Sequence, residues 1–170
     1  MIGGSNPWQR PMAEVHGIAV RPGDGEDMVE TLEQRAVTGA GLVGDPRAKG
    51  RRGLTLLSRE KWLDVTRELK VDLPWYARRA NVLVYGLDLK QTIGRLIRVG
   101  DIIVKIWGET KPCGLMDEIH PGLRDALSLD LRGGVHGEIM YPGVVRLGDP
   151  VTIMEVPLGG AQPAPETPTP

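Results

Sequence analysis

The fold is decided by a stretch near the C-terminal end, residues 133–156, whose sequence is GGVHGEIMYPGVVRLGDPVTIMEV. Three short runs rich in Val and Ile are separated by the turn pairs Pro142-Gly143 and Gly148-Asp149. Apolar, β-branched runs bounded by such pairs are typical of β-strands joined by tight turns. We therefore predict strands over 135–141, from 144 onward and over 151–156.

The same pattern recurs upstream of this stretch. It predicts strands over 15–20, 53–57, 79–86 and 102–107, a shorter strand or turn over 92–98, and helical turns over 116–119 and 123–129. Only the segment after Ser58 has apolar residues at clear helical spacing, and Ser58 stands where a helix N-cap is expected, so we predict a helix over 59–69. Many short strands with one clear helix are typical of a mostly-β fold closed into a barrel.

One segment, residues 26–38, fits two structures. Its apolar residues Met28, Val29, Leu32 and Ala36 form a helical stripe. Leu32, Gln34 and Ala36 also alternate weakly, as in a strand. Periodicity alone slightly favours a helix here.

Composition and charge restrict the class of protein. The 170 residues are 41% hydrophobic and 25% charged, which fits one globular domain. Lys and Arg number 21 against 22 Asp and Glu, so the basic excess of a dedicated nucleic-acid binder is missing. No apolar run predicts a membrane span or a secretory signal, and a single Cys is typical of a reducing, cytoplasmic compartment. We expect a flexible leader over 1–12, a domain over 13–156 and a disordered Pro-rich tail over 157–170.

Cys113 is the first candidate for chemistry. It lies in the polar sequence Lys111-Pro112-Cys113-Gly114, which predicts a loop. A cation such as Lys111 nearby favours the nucleophilic, metal-binding thiolate. The alternative is that a lone Cys is a buried apolar residue. The loop favours the functional interpretation, because loops carry function more often than packing.

A basic stretch follows the Gly-rich loop over 39–46. Guanidinium groups bind phosphate and carboxylate through paired hydrogen bonds, so these residues can form an anion pocket, or else a solvated surface loop. The residues concerned are Arg47, Lys49, Arg51 and Arg52, with Arg78 and Arg79 further along. The three histidines lack the spacing of a zinc site.

Taken in order, several motifs resemble the MOSC domain, named for the C-terminal domain of molybdenum-cofactor sulfurases. Gly41-Leu42-Val43-Gly44-Asp45 is similar to the family's glycine-aspartate loop, and Arg79-Ala80-Asn81 followed by Gly86-Leu87-Asp88-Leu89 is similar to its arginine-asparagine segment. The later motifs follow in the family's order: Val99-Gly100-Asp101, Pro112-Cys113, Pro121-Gly122-Leu123, Arg132-Gly133-Gly134-Val135 and residues 143–149.

The resemblance implies a barrel similar to the pyruvate-kinase β-barrel, with strands rather than a helix over 30–38. It also implies one of two functions. In the first, Cys113 carries sulfur as a persulfide received from a cysteine desulfurase, whose pyridoxal phosphate belongs to that partner. In the second, Cys113 ligates molybdenum in a molybdopterin cofactor that reduces N-hydroxylated compounds. Whether the chain is itself an enzyme, reductase or sulfurtransferase-like, stays open.

The resemblance also assigns residues around the cofactor. Those expected to bind it are Arg47, Lys49, Arg51, Arg52, Arg79, Asn81 and Lys111, with the cations meeting the pterin phosphate. Asn81 would hydrogen-bond the pterin or fix the pocket backbone. Members of the family often carry His directly after the Gly-Asp pair, whereas this chain has Pro46-Arg47-Ala48-Lys49, which favours a cationic role there.

Partners follow from these two functions. A cysteine desulfurase or a molybdoenzyme is the expected protein partner, and neither nucleic acid nor membrane is expected. Two other hypotheses stay open: a non-catalytic β-barrel module that binds a small anionic ligand or a protein, and an unrelated thiol enzyme.

Overall fold

Ten β-strands and three short α-helices make up residues 13–155, the part of the chain that the computed structural model describes. The predicted leader over 1–12 and tail over 157–170 lie outside the described residues. The strands are β1 Ala13–Val20, β2 Val29–Glu30, β3 Glu33–Ala36, β4 Leu54–Ser58, β5 Val82–Tyr85, β6 Leu96–Val99, β7 Ile102–Glu109, β8 Val135–Tyr141, β9 Gly143–Arg146 and β10 Pro150–Ile153. The helices are α1 Arg59–Leu69, α2 Leu115–Ile119 and α3 Leu123–Ser128.

Seven of the strands close into a barrel, in the order β10-β6-β7-β8-β4-β5-β1. The barrel closes where β1 pairs with β10, with Ala13 opposite Val151. Strands β4 and β5 are parallel, and the other neighbours are antiparallel. The predicted closed, mostly-β barrel is confirmed.

The barrel interior is filled by aliphatic side chains. Alternate residues of each strand point inward, as the two-residue period of a strand requires. The fully buried large residues inside include Val15, Ile18, Leu54, Leu56, Ile97, Ile102, Ile106 and Ile139. This core holds the strand ends, and the loops that leave them, in fixed positions.

A second core lies between the barrel and the helices. Trp62 and Val65 of α1 pack with Leu57 of β4 and Leu83 of β5, and the side chains of α2 and α3 complete the cluster. Helix α1 has the predicted bounds. The Ser58 hydroxyl accepts a hydrogen bond from the Lys61 amide at 3.3 Å, so the predicted N-cap is confirmed.

The ambiguous segment 26–38 forms strands β2 and β3, so the slight preference of periodicity for a helix is wrong. Strand β3 pairs with β9, with Gln34 opposite Val145. Val29 and Leu32, which made the helical stripe, are 52% and 74% exposed. Pairing with the distant strand β9 determines the structure of this segment. The spacing of apolar residues within the segment contains no information about that partner.

The region predicted as a strand over 79–86 begins later than expected. Residues Trp75–Arg78 form a 3-10 turn, and Arg79 adopts the left-handed conformation with φ of 64°. Strand β5 therefore starts at Val82, which leaves residues 79–81 at the mouth of the barrel. No helix among residues 13–155 is long and apolar enough to cross a lipid bilayer.

Candidate functional site

Four arginines meet around a hollow of about 200 Å³, which we call the arginine pocket. It lies where β1 ends and where β4 and β5 begin, so three different parts of the chain contribute to it. Its lining residues are Arg21, Met28, Asp45, Arg47, Ala48, Arg52, Thr55, Arg79 and Asn81. The cations outnumber the one carboxylate, Asp45, so the pocket attracts anions.

Asn81 ties the walls of the pocket together. Its side-chain oxygen accepts from the Thr55 amide at 3.1 Å. Its side-chain nitrogen donates to the Ala19 carbonyl at 3.2 Å and to the Asp45 carboxylate at 2.9 Å. The side chain is buried and both of its N–H groups are used, so Asn81 has no donor left for a ligand and instead fixes the pocket backbone.

The loop over 39–53 that carries Arg47 and Arg52 is folded tightly onto itself. A Cβ at Gly53 would overlap the Ala40 carbonyl oxygen, and one at Gly41 would overlap the side chain of Ala48. Only glycine permits these approaches. The loop therefore presents its arginines from a packed base.

Three of the four arginines are free to meet a ligand. Among residues 13–155, Arg21, Arg52 and Arg79 make no ion pair. Arg47 pairs with Asp24 at the surface. The Arg47 hydrogen bond is the main reason that the pKa of Asp24 is lowered, and Asp24 raises the pKa of Arg47 in return. Because this pair is fully exposed, an incoming anion can compete for Arg47 at little cost.

Cys113 is exposed, so the interpretation of it as a buried apolar residue is wrong. It lies in the loop between the end of β7 and the start of α2, and its carbonyl accepts from the Met116 amide at 3.0 Å. The chain thus presents its single thiol to solvent from a loop anchored at both ends.

Arg78 is a buried cation beside this loop, with only 6% of its surface exposed. Its guanidinium donates to the Thr110 carbonyl at 2.9 Å and to the Gly133 carbonyl at 3.1 Å. Burial lowers the pKa of Arg78, and attraction to Cys113 partly opposes that effect. Arg78 therefore holds the Cys113 loop in place and lies within electrostatic reach of the thiol.

His136 connects the two parts of the site. It lies opposite Thr55 of the arginine pocket in the β4–β8 pair, and its Nδ1 is 3.5 Å from the Thr110 hydroxyl. Burial and then the charge of Arg52 lower the pKa of His136, while a hydrogen bond to the Glu109 backbone opposes them. The imidazole is therefore neutral at pH 7, between the arginine pocket and the loop that leads to Cys113.

The residues predicted from sequence fall into two groups. Arg47, Arg52, Arg79 and Asn81 line the arginine pocket. Lys49, Arg51 and Lys111 do not line it, although all three are exposed. The Arg51 guanidinium instead lies 4.1 Å from the centre of the Trp107 ring.

Sequence reasoning did not single out Arg21, Thr55 or His136 for the site. Arg21 and Thr55 look like ordinary residues of a turn and a strand, and the histidine lacks a ligand motif. Only the register of the barrel brings them together, so no local signal could have found them. Among residues 13–155, no three His, Cys, Asp or Glu side chains cluster so as to hold a metal ion.

Comparison with protein families gives one match. The model of the MOSC domain matches residues 35–152, well over half of the chain, and that range includes Arg52, Asn81 and Cys113. No curated protein matches the sequence significantly.

Solved structures share the fold. The YuaD protein from Bacillus subtilis is 21% identical and superposes with a TM-score of 0.68, covering 85% of this chain and 96% of that one. YiiM from Escherichia coli is 20% identical, with a TM-score of 0.66 over 86% of this chain and 71% of that one. YiiM from Geobacillus stearothermophilus is 15% identical, with a TM-score of 0.63 over 84% and 75%. At these identities the likeness concerns the fold alone.

Proposed function

The chain belongs to the MOSC domain family, and on that premise we propose that it binds a molybdenum cofactor, with the pterin phosphate in the arginine pocket and Cys113 as the protein's ligand to the metal. The observation that carries the proposal is the convergence of Arg21, Arg47, Arg52 and Arg79 on one hollow, linked through His136 and Thr110 to the Cys113 loop.

The arginine pocket fits a phosphate in charge and in donor chemistry. A guanidinium offers a planar pair of N–H donors that matches two oxygens of a phosphate. Arg21, Arg52 and Arg79 have no ion pair to break among the described residues, and Arg47 has only an exposed one. Asn81 and the packed loop over 39–53 keep the pocket in shape before the ligand arrives.

Cys113 fits a metal that arrives with most of its own ligands. A thiolate is a soft ligand that suits a high-valent, sulfur-rich metal centre. The described residues supply this one exposed thiol and no ligand cluster, so a metal already held by a pterin suits the site better than a free ion. When bound, such a cofactor supplies two-electron chemistry, which family members use to reduce N-hydroxylated compounds.

Arg78 supports the Cys113 loop in both candidate functions, metal binding and sulfur carriage. Its two hydrogen bonds fix the backbone at Thr110, where the Cys113 loop begins, and at Gly133, just before β8. The deprotonated thiol is the form of a cysteine that binds metal and attacks sulfur.

Sulfur carriage is the second candidate, and the exposure of Cys113 favours it. A thiol on a surface loop is accessible to a persulfide on a partner protein such as a cysteine desulfurase, whose pyridoxal phosphate stays with the partner. The Cys113 thiolate would attack the outer sulfur, forming a new S–S bond while the donor's S–S bond breaks and its thiolate leaves. The outer sulfur of the Cys113 persulfide would then be transferred to a molybdoenzyme or its cofactor.

Neighbouring arginines give a matched test of the phosphate site. Arg52 lines the pocket, whereas Arg51 lies on Trp107. In protein purified without oxygen from a host that makes the cofactor, Arg52→Ala should lose most of the co-purified pterin and Arg51→Ala should retain it. Equal retention in both variants would contradict the phosphate assignment.

Mass spectrometry separates the second candidate from the first. A mass gain of one sulfur on Cys113, after incubation with a cysteine desulfurase and cysteine, supports the carrier. Molybdenum in the purified protein supports the cofactor function.

A further inference from the structure

In the part of the chain that the structure describes, the helices leave the outer surface of strands β6, β7 and β8 open. The helices pack elsewhere on the barrel, against Leu57 of β4 and Leu83 of β5. In the three open strands, buried residues point into the barrel and the residues between them face outward. Four of the outward residues, which we call the Trp107 face, are Arg98 of β6, Lys105 and Trp107 of β7, and Met140 of β8.

Trp107 is held rigidly although its side chain is exposed. The pairing of β7 with β8 shifts register at this residue, so Trp107 is the extra residue of a β-bulge, a feature that re-aims a side chain. Its indole nitrogen donates to the Glu138 carboxylate at 3.2 Å. The Arg51 guanidinium and the Lys105 ammonium lie 4.1 Å and 5.6 Å from the centre of its ring. These contacts fix the ring, and 39% of the residue's surface stays open to solvent.

The Trp107 face combines apolar surface with unpaired positive charge. Met140 is 49% exposed. Among residues 13–155, neither Arg98 nor Lys105 makes an ion pair, and Lys105 uses one of its three N–H donors on the Gly94 carbonyl. Trp, Met and Arg are enriched in protein–protein interfaces. The surface complementary to this face is apolar at its centre and acidic around it.

A partner bound to the Trp107 face would lie beside the exposed thiol. Trp107 precedes Cys113 by six residues. Six residues span at most about 20 Å even when fully extended. A standard interface covers about 800 Å² on each partner, which is a patch roughly 30 Å across. A protein centred on Trp107 therefore extends to the neighbourhood of Cys113.

We propose that the Trp107 face docks an acidic protein and brings it next to Cys113. Trp107 and Met140 supply the apolar centre of the interface, and Arg98 and Lys105 pair with carboxylates of the partner. Nucleic acid fits this face less well, because the chain as a whole has a net charge of -1. A second copy of the chain would bring like charges together across a two-fold axis. The inference goes beyond the cofactor site and does not depend on it.

NMR titration of the full chain with a synthetic peptide of repeated Glu-Glu-Leu tests the proposal. The Trp107 indole signal, assigned by its absence in Trp107→Phe, should shift until the face is saturated. The affinity should fall as salt is added, because exposed charges are screened. A peptide of repeated Lys-Lys-Leu should leave the signal in place. An unchanged Trp107 signal at saturating acidic peptide would overturn the inference.

Charge-reversal variants locate the bound peptide. Arg98→Glu should weaken binding about tenfold, because it places a carboxylate in the interface. Arg124→Glu, at an exposed position of α3, changes the net charge equally and should leave the affinity unchanged. Equal weakening in both variants would reveal unspecific attraction and overturn the inference. Binding that survives Arg98→Glu but is lost in Arg79→Ala would place the peptide in the arginine pocket, with the same consequence.

Two further outcomes would identify a different occupant. Single-stranded DNA that binds the Trp107 face more tightly than the acidic peptide would assign the face to nucleic acid. Movement of the Trp107 signal with protein concentration alone would assign it to a second copy of the chain. Either result would overturn the acidic partner and leave the cofactor proposal standing, because molybdenum and pterin content are measured separately.

Discussion

At the scale of single residues, Asn81 joins three parts of the arginine pocket's wall. Its amide bonds to the chain at Thr55, Ala19 and Asp45, which belong to β4, β1 and the loop over 39–53. The sequence singled out Asn81 through a family resemblance and left open whether it contacts a ligand or fixes the backbone. Its complete set of hydrogen bonds favours the second role. The sequence could not choose between the two roles, because no local pattern shows which groups the fold brings to the Asn81 side chain.

Replacing Asn81 by Ala should therefore destabilise the protein by about 1–3 kcal/mol, because the Thr55 amide and the Asp45 carboxylate lose a buried partner. Urea unfolding measures this loss. A change under about 0.5 kcal/mol, the usual effect of a surface substitution, would contradict the structural role.

His136 predicts a pH dependence of stability. Its pKa in the folded protein lies below the ordinary value of 6.5, so the unfolded chain takes up a proton at a higher pH than the folded one. Stability should then fall as the pH drops below about 6.5 and level off once the pH is below the folded pKa. Thermal unfolding between pH 7 and pH 5 checks this, and His136→Gln should flatten the slope.

Because the charge of Arg52 contributes to the lowered pKa of His136, a bound anion should raise that pKa. NMR titration of His136 in phosphate and in chloride, at equal ionic strength, measures the effect. Identical titration curves in the two salts would show that phosphate does not reach Arg52.

At the scale of elements, sequence patterns gave reliable bounds where the signal is local. Helix α1 begins after Ser58 and ends at Leu69 as predicted, since both its cap and its apolar spacing lie within the segment. Strand β8 also has its predicted bounds. For segment 26–38 the periodicity slightly favoured a helix, whereas the structure has strands. Its structure depends on pairing with β9, more than 100 residues further along the chain.

The cap of α1 gives a direct test at this scale. Ser58→Ala removes the oxygen that accepts from the Lys61 amide and should lower the free energy of unfolding by about 1 kcal/mol. Arg67→Ala, at an exposed position of the same helix, is the control and should change it by less than about 0.5 kcal/mol. Equal losses in the two variants would mean that the cap contributes nothing specific.

The loop over 39–53 gives a second test. A Cβ at Gly53 would overlap the Ala40 carbonyl, whereas one at Gly114 meets open space, and neither glycine has a positive φ. Gly53→Ala should cost about 1–3 kcal/mol and weaken phosphate binding, because the loop that carries Arg47 and Arg52 must shift. Gly114→Ala should do neither. Normal phosphate affinity in Gly53→Ala would contradict the view that this packing shapes the pocket.

At the scale of the whole molecule, barrel closure assembles the site from distant parts of the chain. Arg21, Arg52 and Arg79 follow or precede different strands, and the order of those strands brings them to one pocket. Sequence alone identified the barrel, the thiol and three of the four pocket cations, all but Arg21. It could not separate Arg52, which lines the pocket, from Arg51, which lies on Trp107, because adjacent residues differ only in the face that the fold gives them.

In the proposed function Cys113 and the arginine pocket hold one cofactor, and molybdenum analysis is the most direct test of this. Wild type, Cys113→Ser and Arg51→Ala are purified without oxygen from a host that makes molybdenum cofactor, and metal and pterin are measured per chain. We expect near-stoichiometric molybdenum in wild type and in Arg51→Ala, and its loss in Cys113→Ser. Wild-type protein that carries neither molybdenum nor pterin would contradict it.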